Sequence, residues 1–173
     1  LPSSVWISRS FHGIDIRQHG SGNAGATNTF RVLGSKTGII VLGLDILKGV
    51  TAASLVMFLG SISHGTDRYI NLQLLFGLSA VLGHLFPIYE NFKGGKGIAT
   101  LLGMVIGINY LLALACIALF LVVLILTKYV SLSSILGAIM LPVSVLWIWN
   151  EHEVMYRIFA LLVAFLVVIT HKK

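Results

Sequence analysis

The residues best suited to binding an anion form a dense run of glycines with small, amide and hydroxyl side chains near the start of the chain. The run extends from His19 to Arg31 and contains no carboxylate. Glycines let backbone N–H groups turn toward an anion, and arginine supplies a planar bidentate donor. A flexible linker needs no such density of Asn, Thr and Arg, so the pattern favours a phosphate-binding loop. Its candidate residues are Ser21, Gly22, Asn23, Thr27, Asn28 and Arg31.

A second glycine-rich run, Lys93–Gly97, leads directly into an apolar stretch that begins at Ile98. Glycines before a helix start leave unpaired N–H groups and the positive end of the helix dipole accessible to an anion. The spacing does not match a Walker A motif, and no acid follows to hold a metal with a nucleotide, which excludes a P-loop NTPase. A basic turn at the membrane edge is the alternative interpretation. The candidate binding residues are Lys93, Gly94, Gly95, Lys96 and Gly97.

The composition places both runs in a membrane protein. Hydrophobic residues make up 57% of the 173 residues and charged residues 10%, whereas soluble domains contain about 25% charged residues. Apolar runs separated by short loops fill nearly the whole chain, so residues 1–173 are predicted to form one polytopic domain. The predicted fold class is all-α, a transmembrane bundle of about seven helices with the first one truncated.

Five apolar runs predict six membrane spans after the partial one that precedes Arg9. The long run from Ile98 to Thr127 exceeds the roughly 20 residues of one crossing. It contains Gly107 and Asn109, so we predict two helices that meet near Asn109, the first of them short. The runs are Thr37–Leu59, Ile70–Pro87, Ile98–Thr127, Leu132–Trp149 and Val154–Thr170.

The basic residues are distributed unevenly across these predicted spans. Nine lie on one side, Arg68 and Arg157 lie on the other, and Lys48 falls inside a span. The positive-inside rule makes the first side cytoplasmic. We interpret four of the nine, Arg9, Lys36, Lys172 and Lys173, as topological anchors. The other five are Arg17, Arg31, Lys93, Lys96 and Lys128.

Several polar residues lie within the predicted spans or at their ends. Asp45 and Lys48 are three residues apart and can neutralise each other, which leaves a functional and a structural role equally open. His84 either donates to the site or caps a helix end. Ser131 and Ser133, with Ser134 beside them, cap the next helix or add hydroxyl donors, and capping is expected of at least one.

The acids and cysteines limit the possible chemistry. Asp15 and Glu90 are the acids on the predicted cytoplasmic side, and no group of His, Cys and Asp has the spacing of a metal site. We therefore expect no metal and no metal-assisted hydrolysis. Cys116 lies in an apolar run and is interpreted as a packing residue.

Four motifs in sequence order resemble those of the bacterial acyl-phosphate:glycerol-3-phosphate acyltransferases. The resemblance covers essentially the whole chain, and each motif lies at a fitting span boundary. The motifs are Gly20–Asn28 with Arg31, Asp45-x-x-Lys48-Gly49, Gly83-His84-x-x-Pro87 with Lys93–Gly97, and Tyr129-Val130-Ser131-Leu132-x-Ser134.

The resemblance implies a seven-helix enzyme of the bacterial inner membrane with its site on the cytoplasmic side. Acyl phosphate would be the donor, glycerol 3-phosphate the acceptor and 1-acyl-glycerol 3-phosphate the product, with no cofactor and no direct use of coenzyme A or acyl carrier protein. The family's first-motif Ser and Arg correspond to Ser21 and Arg31, and its glycerol 3-phosphate segment corresponds to Gly94–Gly97. A third motif, His-x-x-Asn, is matched at His171, and the sequence stops at Lys173, one residue before the Asn.

The chemistry of the residues is compatible with this resemblance. An acyl phosphate already carries a good leaving group, so the reaction needs positioning and charge stabilisation more than a strong base. We hypothesise that Arg31 and Lys96 neutralise phosphates, that Ser21 and Asn28 orient the carbonyl or hydroxyl, and that His171 positions the acceptor. The partners are therefore these two substrates and membrane lipid, without nucleic acid.

A membrane transporter for a phosphate-bearing solute is the alternative, because broken helices and basic glycine loops also suit anion passage. No inverted halves are visible in the sequence, and the polar residues cluster at one rim of the membrane. Both features favour the enzyme.

Overall fold

Seven α-helices form the protein in a computed structural model, which describes residues 2–60, 62–148 and 152–171. No strand occurs within those ranges, so the prediction of an all-α fold with seven helices is confirmed. Three residues named above lie outside the described residues: Lys172, Lys173, and Trp149, where the fourth apolar run was expected to end. The helices are α1 (Ser3–His12), α2 (Ala26–Ser54), α3 (Asp67–Leu85), α4 (Ile98–Ile108), α5 (Tyr110–Thr127), α6 (Val130–Val143) and α7 (Val154–Thr170).

Four helical segments of the described chain are long and apolar enough to cross a membrane. Short 3-10 turns extend two of them, and a π-helical turn follows Pro142 at the end of α6. α4 and α7 are shorter apolar helices. At 1.5 Å per residue α4 is about 16 Å long, roughly half the thickness of a hydrocarbon core. The four segments are Ala26–Phe58, Asp67–Glu90, Tyr110–Thr127 and Val130–Ile148.

The predicted break near Asn109 is present. Asn109 has an extended backbone, and its side-chain oxygen accepts hydrogen bonds from the N–H groups of Leu111 at 3.0 Å and Leu112 at 3.3 Å. It is therefore the N-cap of α5. The Gln73 side chain donates to the Gly107 carbonyl at 3.0 Å, which satisfies one of the carbonyls left unpaired at the end of α4.

α2 begins at Ala26, earlier than the span expected from Thr37 onward. Its first turns are separated from the apolar part by a kink at Gly34, whose backbone angles are φ 83° and ψ 177°. Thr27, Asn28 and Arg31 therefore lie on a helix rather than in a loop. The apolar run predicted only the membrane-spanning part of α2, because the first turns of this helix contain several polar residues.

The chain divides into two compact units, each built from two stretches of sequence. The first comprises Leu1–Ala52 and Gly77–Met104, and the second Ala53–Phe76 and Val105–Lys173. The helices α2, α3 and α4 each contribute residues to both units. The single polytopic domain inferred from the sequence remains a prediction.

Within the first unit, α2 and α4 pack with their backbones in direct contact. A side-chain carbon added at Gly49 would overlap the Thr100 carbonyl oxygen, and one added at Gly103 would overlap that of Ile46. Small residues at such a crossing are typical of helix pairs in membranes, where backbone packing replaces the hydrophobic effect. The crossing fixes α4, which begins directly after the second glycine-rich run.

Within the second unit, α6 packs against both α5 and α7. Gly137 faces α5, where an added carbon would lie 3.2 Å from the Cys116 carbonyl oxygen. α7 contributes buried Tyr156, Phe159 and Val163.

Candidate active site

Asn28 organises the first glycine segment, which we define as Gly20–Gly25. Its side chain is fully buried and donates to the carbonyls of Ile16 at 3.1 Å and His19 at 3.0 Å. Its side-chain oxygen accepts the Ser21 N–H at 2.9 Å. Both amide hydrogens are therefore used within the protein. Asn28 shapes the segment, and a direct contact of this residue with substrate remains a prediction.

The glycines of this segment shape the local backbone turn, a role that the sequence pattern did not predict. Gly20 and Gly22 have φ of +61° and +72°, a region that favours glycine. An added carbon at Gly20 would overlap the Asn28 side-chain oxygen and lie 2.9 Å from Val32. The N–H groups of Gly22 and Gly25 bond to the carbonyls of His19 and Asn23 at 3.1 and 3.0 Å. These two amides stabilise the turn, and a contact of Gly22 with substrate remains a prediction.

The predicted side-chain donors of this segment differ in exposure. Ser21, Thr27 and Arg31 are exposed, and Gly22 is exposed beside them. Asn23 is half-buried, and its amide nitrogen lies 3.0 Å from the position of a carbon added at Gly25. Of the side-chain donors that the sequence singled out, Ser21, Thr27 and Arg31 are thus accessible, whereas Asn28 is buried.

The second glycine segment, Lys93–Gly97, leaves a continuous run of backbone donors. The Gly94 N–H bonds to the Leu85 carbonyl at 3.1 Å. The next three N–H groups, of Gly95, Lys96 and Gly97, have no hydrogen-bond partner within the described residues. Gly97 has φ +76° and its carbonyl accepts the Leu101 N–H at 2.8 Å, so it precedes the first turn of α4. The unpaired first-turn N–H groups of α4 continue the run, with the positive end of its dipole.

The two glycine segments touch. A carbon added at Gly95 would overlap the Ala24 carbonyl oxygen and would lie 2.5 Å from Nε2 of His84. No residue with a side chain fits between Ala24 and His84 at this point. The two glycine segments therefore meet within the first unit.

Three cations beside these segments carry uncompensated charge. Arg31 and Lys93 are exposed, Lys96 is half-buried, and none of the three side chains forms an ion pair within residues 2–60, 62–148 and 152–171. Burial lowers the pKa of Lys96 below its ordinary value, because desolvation disfavours the ammonium form. A dianionic phosphate would compensate this charge.

A network of two arginines and two acids holds the turn that precedes the second glycine segment. Arg9 bonds to Asp15 at 2.8 Å and to Glu90 at 2.9 Å, and Arg17 contacts the same two carboxylates at 2.8 and 2.9 Å. The interpretation of Arg9 as a topological anchor alone is wrong, because its guanidinium joins the end of α1 to the Ile88–Glu90 turn. This turn directly precedes the second glycine segment.

The same network engages both nearby acids in ion pairs. Hydrogen bonds from Arg17, partly opposed by desolvation, hold the pKa of Asp15 far below its ordinary range. The hydrogen bond to Asp15 in turn raises the pKa of the Arg17 guanidinium. Glu90 is buried and contacts both arginines. Asp15 is therefore not poised to accept a proton near neutral pH.

A buried polar cluster lies inside the first unit. Lys48 bonds to Asp45 at 2.7 Å, as the three-residue spacing predicted, and also contacts the Ser3 hydroxyl. Nδ1 of His84 lies 3.6 Å from the same Asp45 oxygen. His84 is in the last turn of α3, and its Nε2 borders Gly95. The histidine thus connects the intramembrane ion pair to the second glycine segment.

The remaining predicted residues belong to the second unit. Ser131 is exposed, and buried Ser133 donates to the Tyr129 carbonyl at 2.8 Å. The N-cap of α6 is Tyr129, without a side-chain cap, so the prediction that one of the serines caps this helix is wrong. Nδ1 of His171 lies 2.8 Å from the Val167 carbonyl, to which it donates. The roles of Ser131, Ser133 and His171 in the site remain predictions.

Sequence reasoning missed the network of Arg9, Asp15, Arg17 and Glu90. The only local signal was the two-residue spacing of Asp15 and Arg17, because Glu90 is 73 residues away from Arg17. A contact over that distance is created by folding and leaves no periodicity in the sequence.

A family model described as glycerol-3-phosphate acyltransferase matches residues 1–173. Curated relatives named glycerol-3-phosphate acyltransferase include one from Chlorobium phaeobacteroides, 49% identical over 146 residues, which are 82% of this chain and 62% of that protein. One from Enterococcus faecalis is 47% identical over 144 residues, or 83% and 63% of the two chains. The chain thus spans less than two thirds of the length of these relatives.

The fold is similar to two crystal structures of PlsY (YgiH), described as an integral membrane glycerol 3-phosphate acyltransferase. The glycerol 3-phosphate form aligns with a TM-score of 0.83 and 33% identity, over 99% of this chain and 82% of that one. The lysophosphatidic acid form aligns with a TM-score of 0.79 and 32% identity, over the same shares of the two chains. By family match, relatives and fold, this chain belongs to the glycerol-3-phosphate acyltransferase family.

Proposed function

We propose that this protein transfers a fatty acyl group from acyl phosphate to glycerol 3-phosphate, forming 1-acyl-glycerol 3-phosphate and inorganic phosphate. The observation that carries the proposal is the run of unpaired N–H groups from Gly95 into α4, in contact with the first glycine segment. Uncompensated Arg31, Lys93 and Lys96 accompany it. Such a site suits phosphate-bearing ligands, and two glycine segments suit two of them.

The proposed reaction needs no protein nucleophile. The glycerol hydroxyl oxygen attacks the carbonyl carbon of the acyl phosphate and forms the ester bond. The bond from that carbon to the phosphate oxygen breaks, and the phosphate leaves with the electron pair. The hydroxyl proton passes to the departing phosphate. Asp15, Glu90 and Asp45 all lie beside cationic side chains, which supports a substrate oxygen as the base.

The role proposed for each charged side chain of the site follows from how accessible that side chain is to a ligand. Arg31 binds a phosphate through its guanidinium fork, and Lys96 binds glycerol 3-phosphate together with the N–H groups of Gly95 and Gly97. Ser21 is exposed at the first segment and orients the carbonyl or the hydroxyl. The roles of His171, Ser131 and Ser133 in substrate binding remain predictions from the sequence. Stabilisation of the transition state then comes mainly from fixed donors and cations.

The setting of the reaction follows from the apolar helices. The acyl tail lies between helices in the lipid, so the protein needs no deep apolar pocket. The excess of cations on the side of the glycine segments makes that side cytoplasmic, and the proposed location is the bacterial inner membrane.

The direct test is to supply the purified protein with acyl phosphate and glycerol 3-phosphate. We expect equimolar lysophosphatidate and inorganic phosphate, and no lysophosphatidate when acyl coenzyme A replaces acyl phosphate. Product from acyl coenzyme A at a comparable rate would contradict the proposed donor.

The same protein in liposomes distinguishes the enzyme from a transporter. Radiolabelled glycerol 3-phosphate is placed outside the vesicles, and acyl phosphate is supplied with it. We expect the label to appear in lipid. Label that instead crosses the membrane unchanged, without product, would contradict the enzyme.

A further inference from the structure

His84 is a buried histidine whose two ring nitrogens face different parts of the first unit. Only 4% of the residue is exposed. Nδ1 lies 3.6 Å from an oxygen of Asp45. Nε2, the other ring nitrogen, lies 2.5 Å from where a carbon on Gly95 would stand. A single imidazole therefore spans the distance between the intramembrane carboxylate and the second glycine segment.

Nδ1 of His84 is a buried polar atom without a hydrogen-bond partner among the described residues. Such an atom costs free energy, on the order of 1–3 kcal/mol. The separation of 3.6 Å exceeds that of a hydrogen bond, for which about 3 Å is usual. A shift of the ring by roughly half an ångström would form the bond and remove the cost. A small movement of the ring would therefore complete the hydrogen bond between His84 and Asp45.

Asp45 is held in place for this contact. It is 1% exposed, and Lys48 bonds to the same carboxylate oxygen that faces His84. Lys48 in turn contacts the Ser3 hydroxyl. Because the carboxylate is anchored, the movable partner is the histidine at the end of α3.

Movement of His84 must be transmitted to Gly95. Gly95 is confined between the imidazole and the Ala24 carbonyl of the first glycine segment. It is also the first of the three amides without a partner within the described chain. A change of half an ångström in the position of the ring would change the orientation of the N–H groups of Gly95–Gly97, which are proposed to bind phosphate.

We propose that Asp45 and His84 form a positioning pair that holds Gly95–Gly97 in the orientation that binds glycerol 3-phosphate, and that acceptor binding closes the bond between them. This inference rests on the proposed function. The imidazole stays neutral, with its Nδ1 proton directed to Asp45, and no proton is transferred. His84 is thus a positioning residue for the acceptor, and the acyl donor does not depend on it.

Two substitutions separate the two contacts of the ring. Asn places an amide nitrogen near the position of Nδ1 and keeps the contact with Asp45, while Gln extends toward Nε2 and loses that contact. We expect His84→Asn and His84→Gln each to raise the KM for glycerol 3-phosphate about tenfold, with the KM for acyl phosphate changed less than about twofold. His12→Asn, at an exposed histidine bonded to Thr37, is the matched control and should leave both KM values unchanged.

Combination with Asp45→Asn tests whether the residues act as a pair. His84→Gln has already lost the contact, so adding Asp45→Asn should not raise the KM for glycerol 3-phosphate further. His84→Asn retains the contact with Asp45 but has lost the contact with Gly95, so adding Asp45→Asn should not raise the KM further there either, whereas Asp45→Asn alone should raise it about fivefold. An equal effect of Asp45→Asn in the wild type and in the His84 variants would overturn the proposal, as would equal changes in the KM of both substrates.

Calorimetric titration of detergent-solubilised protein with glycerol 3-phosphate gives the same comparison without turnover. The Kd values should follow the pattern predicted for KM, and unchanged Kd values in the His84 variants would overturn the pair. If the wild type binds glycerol 3-phosphate but forms no lysophosphatidate, the proposed function fails while the pair is still tested by binding. If the wild type turns over and the variants bind normally, the pair alone fails.

Discussion

The cations of the first unit form two groups that differ in whether a carboxylate neutralises them. Arg9, Arg17 and Lys48 lie within 2.9 Å of an acid. Arg31 and Lys96 have no such partner in the described part of the chain. Residue type does not distinguish these groups. Among the unpaired cations, function is expected of those beside the glycine segments, because their charge is available there to a ligand.

Substitution of Arg31 tests the role of a single unpaired cation. A charge-assisted hydrogen bond contributes about 1.5–3 kcal/mol, so Arg31→Ala should lower kcat/KM by roughly 10- to 100-fold. Arg31→Lys keeps the charge but loses the bidentate geometry and should fall between Arg31→Ala and the wild type. Lys36→Ala removes an exposed cation on the same helix and should stay within about twofold. A loss in Lys36→Ala equal to that in Arg31→Ala would show a general electrostatic effect. The measurement is the rate of lysophosphatidate formation.

Deprotonation of Lys96 is expected to set the decline of kcat/KM at alkaline pH. Burial lowers its pKa, so the ammonium form that binds phosphate is lost at a lower pH than for an ordinary lysine, whose pKa is 10.5. As pH rises through the lowered pKa, kcat/KM should decline, by about tenfold per pH unit above it. Lys96→Arg keeps its charge throughout and should abolish the decline. An unchanged alkaline limb in Lys96→Arg would assign the titration to another group.

At the scale of elements, the site depends on backbones that approach each other without side chains. Gly95 separates Ala24 from His84, and Gly49 and Gly103 let α2 meet α4. The second glycine segment is also held by the Ile88–Glu90 turn, which the arginine network attaches to α1. Two substitutions test these supports.

Gly95→Ala tests the contact between the glycine segments. The added carbon would overlap the Ala24 carbonyl oxygen, and such overpacking costs about 1–3 kcal/mol. We expect a decrease in kcat/KM of roughly 10- to 100-fold. Gly43→Ala, in α2 with open space around it, is the matched control and should keep full activity. Wild-type activity in Gly95→Ala would show that the segments can separate without loss.

The arginine network predicts an acid-sensitive stability. Asp15 has a lowered pKa in the folded protein, so its contribution to stability is fully present above its unfolded pKa of 3.8 and is lost as pH falls below that value. Asp15→Asn should lower the melting temperature at pH 7 by a few degrees, on the order of 1 kcal/mol. The difference from wild type should shrink progressively below about pH 4.

The melting temperature is measured in detergent across pH. Asp67→Asn, at an exposed acid in the first turn of α3, is the control and should change it little. A difference between Asp15→Asn and wild type that stays constant down to pH 2 would contradict the assignment.

At the scale of the whole molecule, the spans predict which loops share a side of the membrane. Ser10 follows Arg9 on the predicted cytoplasmic side, while Ser63 lies in the exposed turn before α3. In a Cys116→Ser background, Ser10→Cys should react with an impermeant maleimide in inside-out vesicles, and Ser63→Cys in right-side-out vesicles. Labelling of both from the same side would contradict the topology.

The sequence by itself determined the class of fold and the location of the candidate site. Apolar runs of membrane length and the interruption at Asn109 predicted seven helices, because hydrophobicity and helix capping are local properties. The glycine-rich composition of the two segments marked the anion-binding candidates for the same reason. The pair Asp45 and Lys48 was predictable because helical spacing alone brings the two side chains together.

Only the tertiary structure decided which of these residues contact each other. The meeting of Gly95 with Ala24, the position of His84 beside Asp45, and the bonds of Arg9 and Arg17 to Glu90 join residues that are distant in sequence. Asn28 was identified from its type, but its three bonds to the loop backbone appear only in the folded chain. The physical reason is that these contacts depend on packing between helices, which no local pattern of residues encodes.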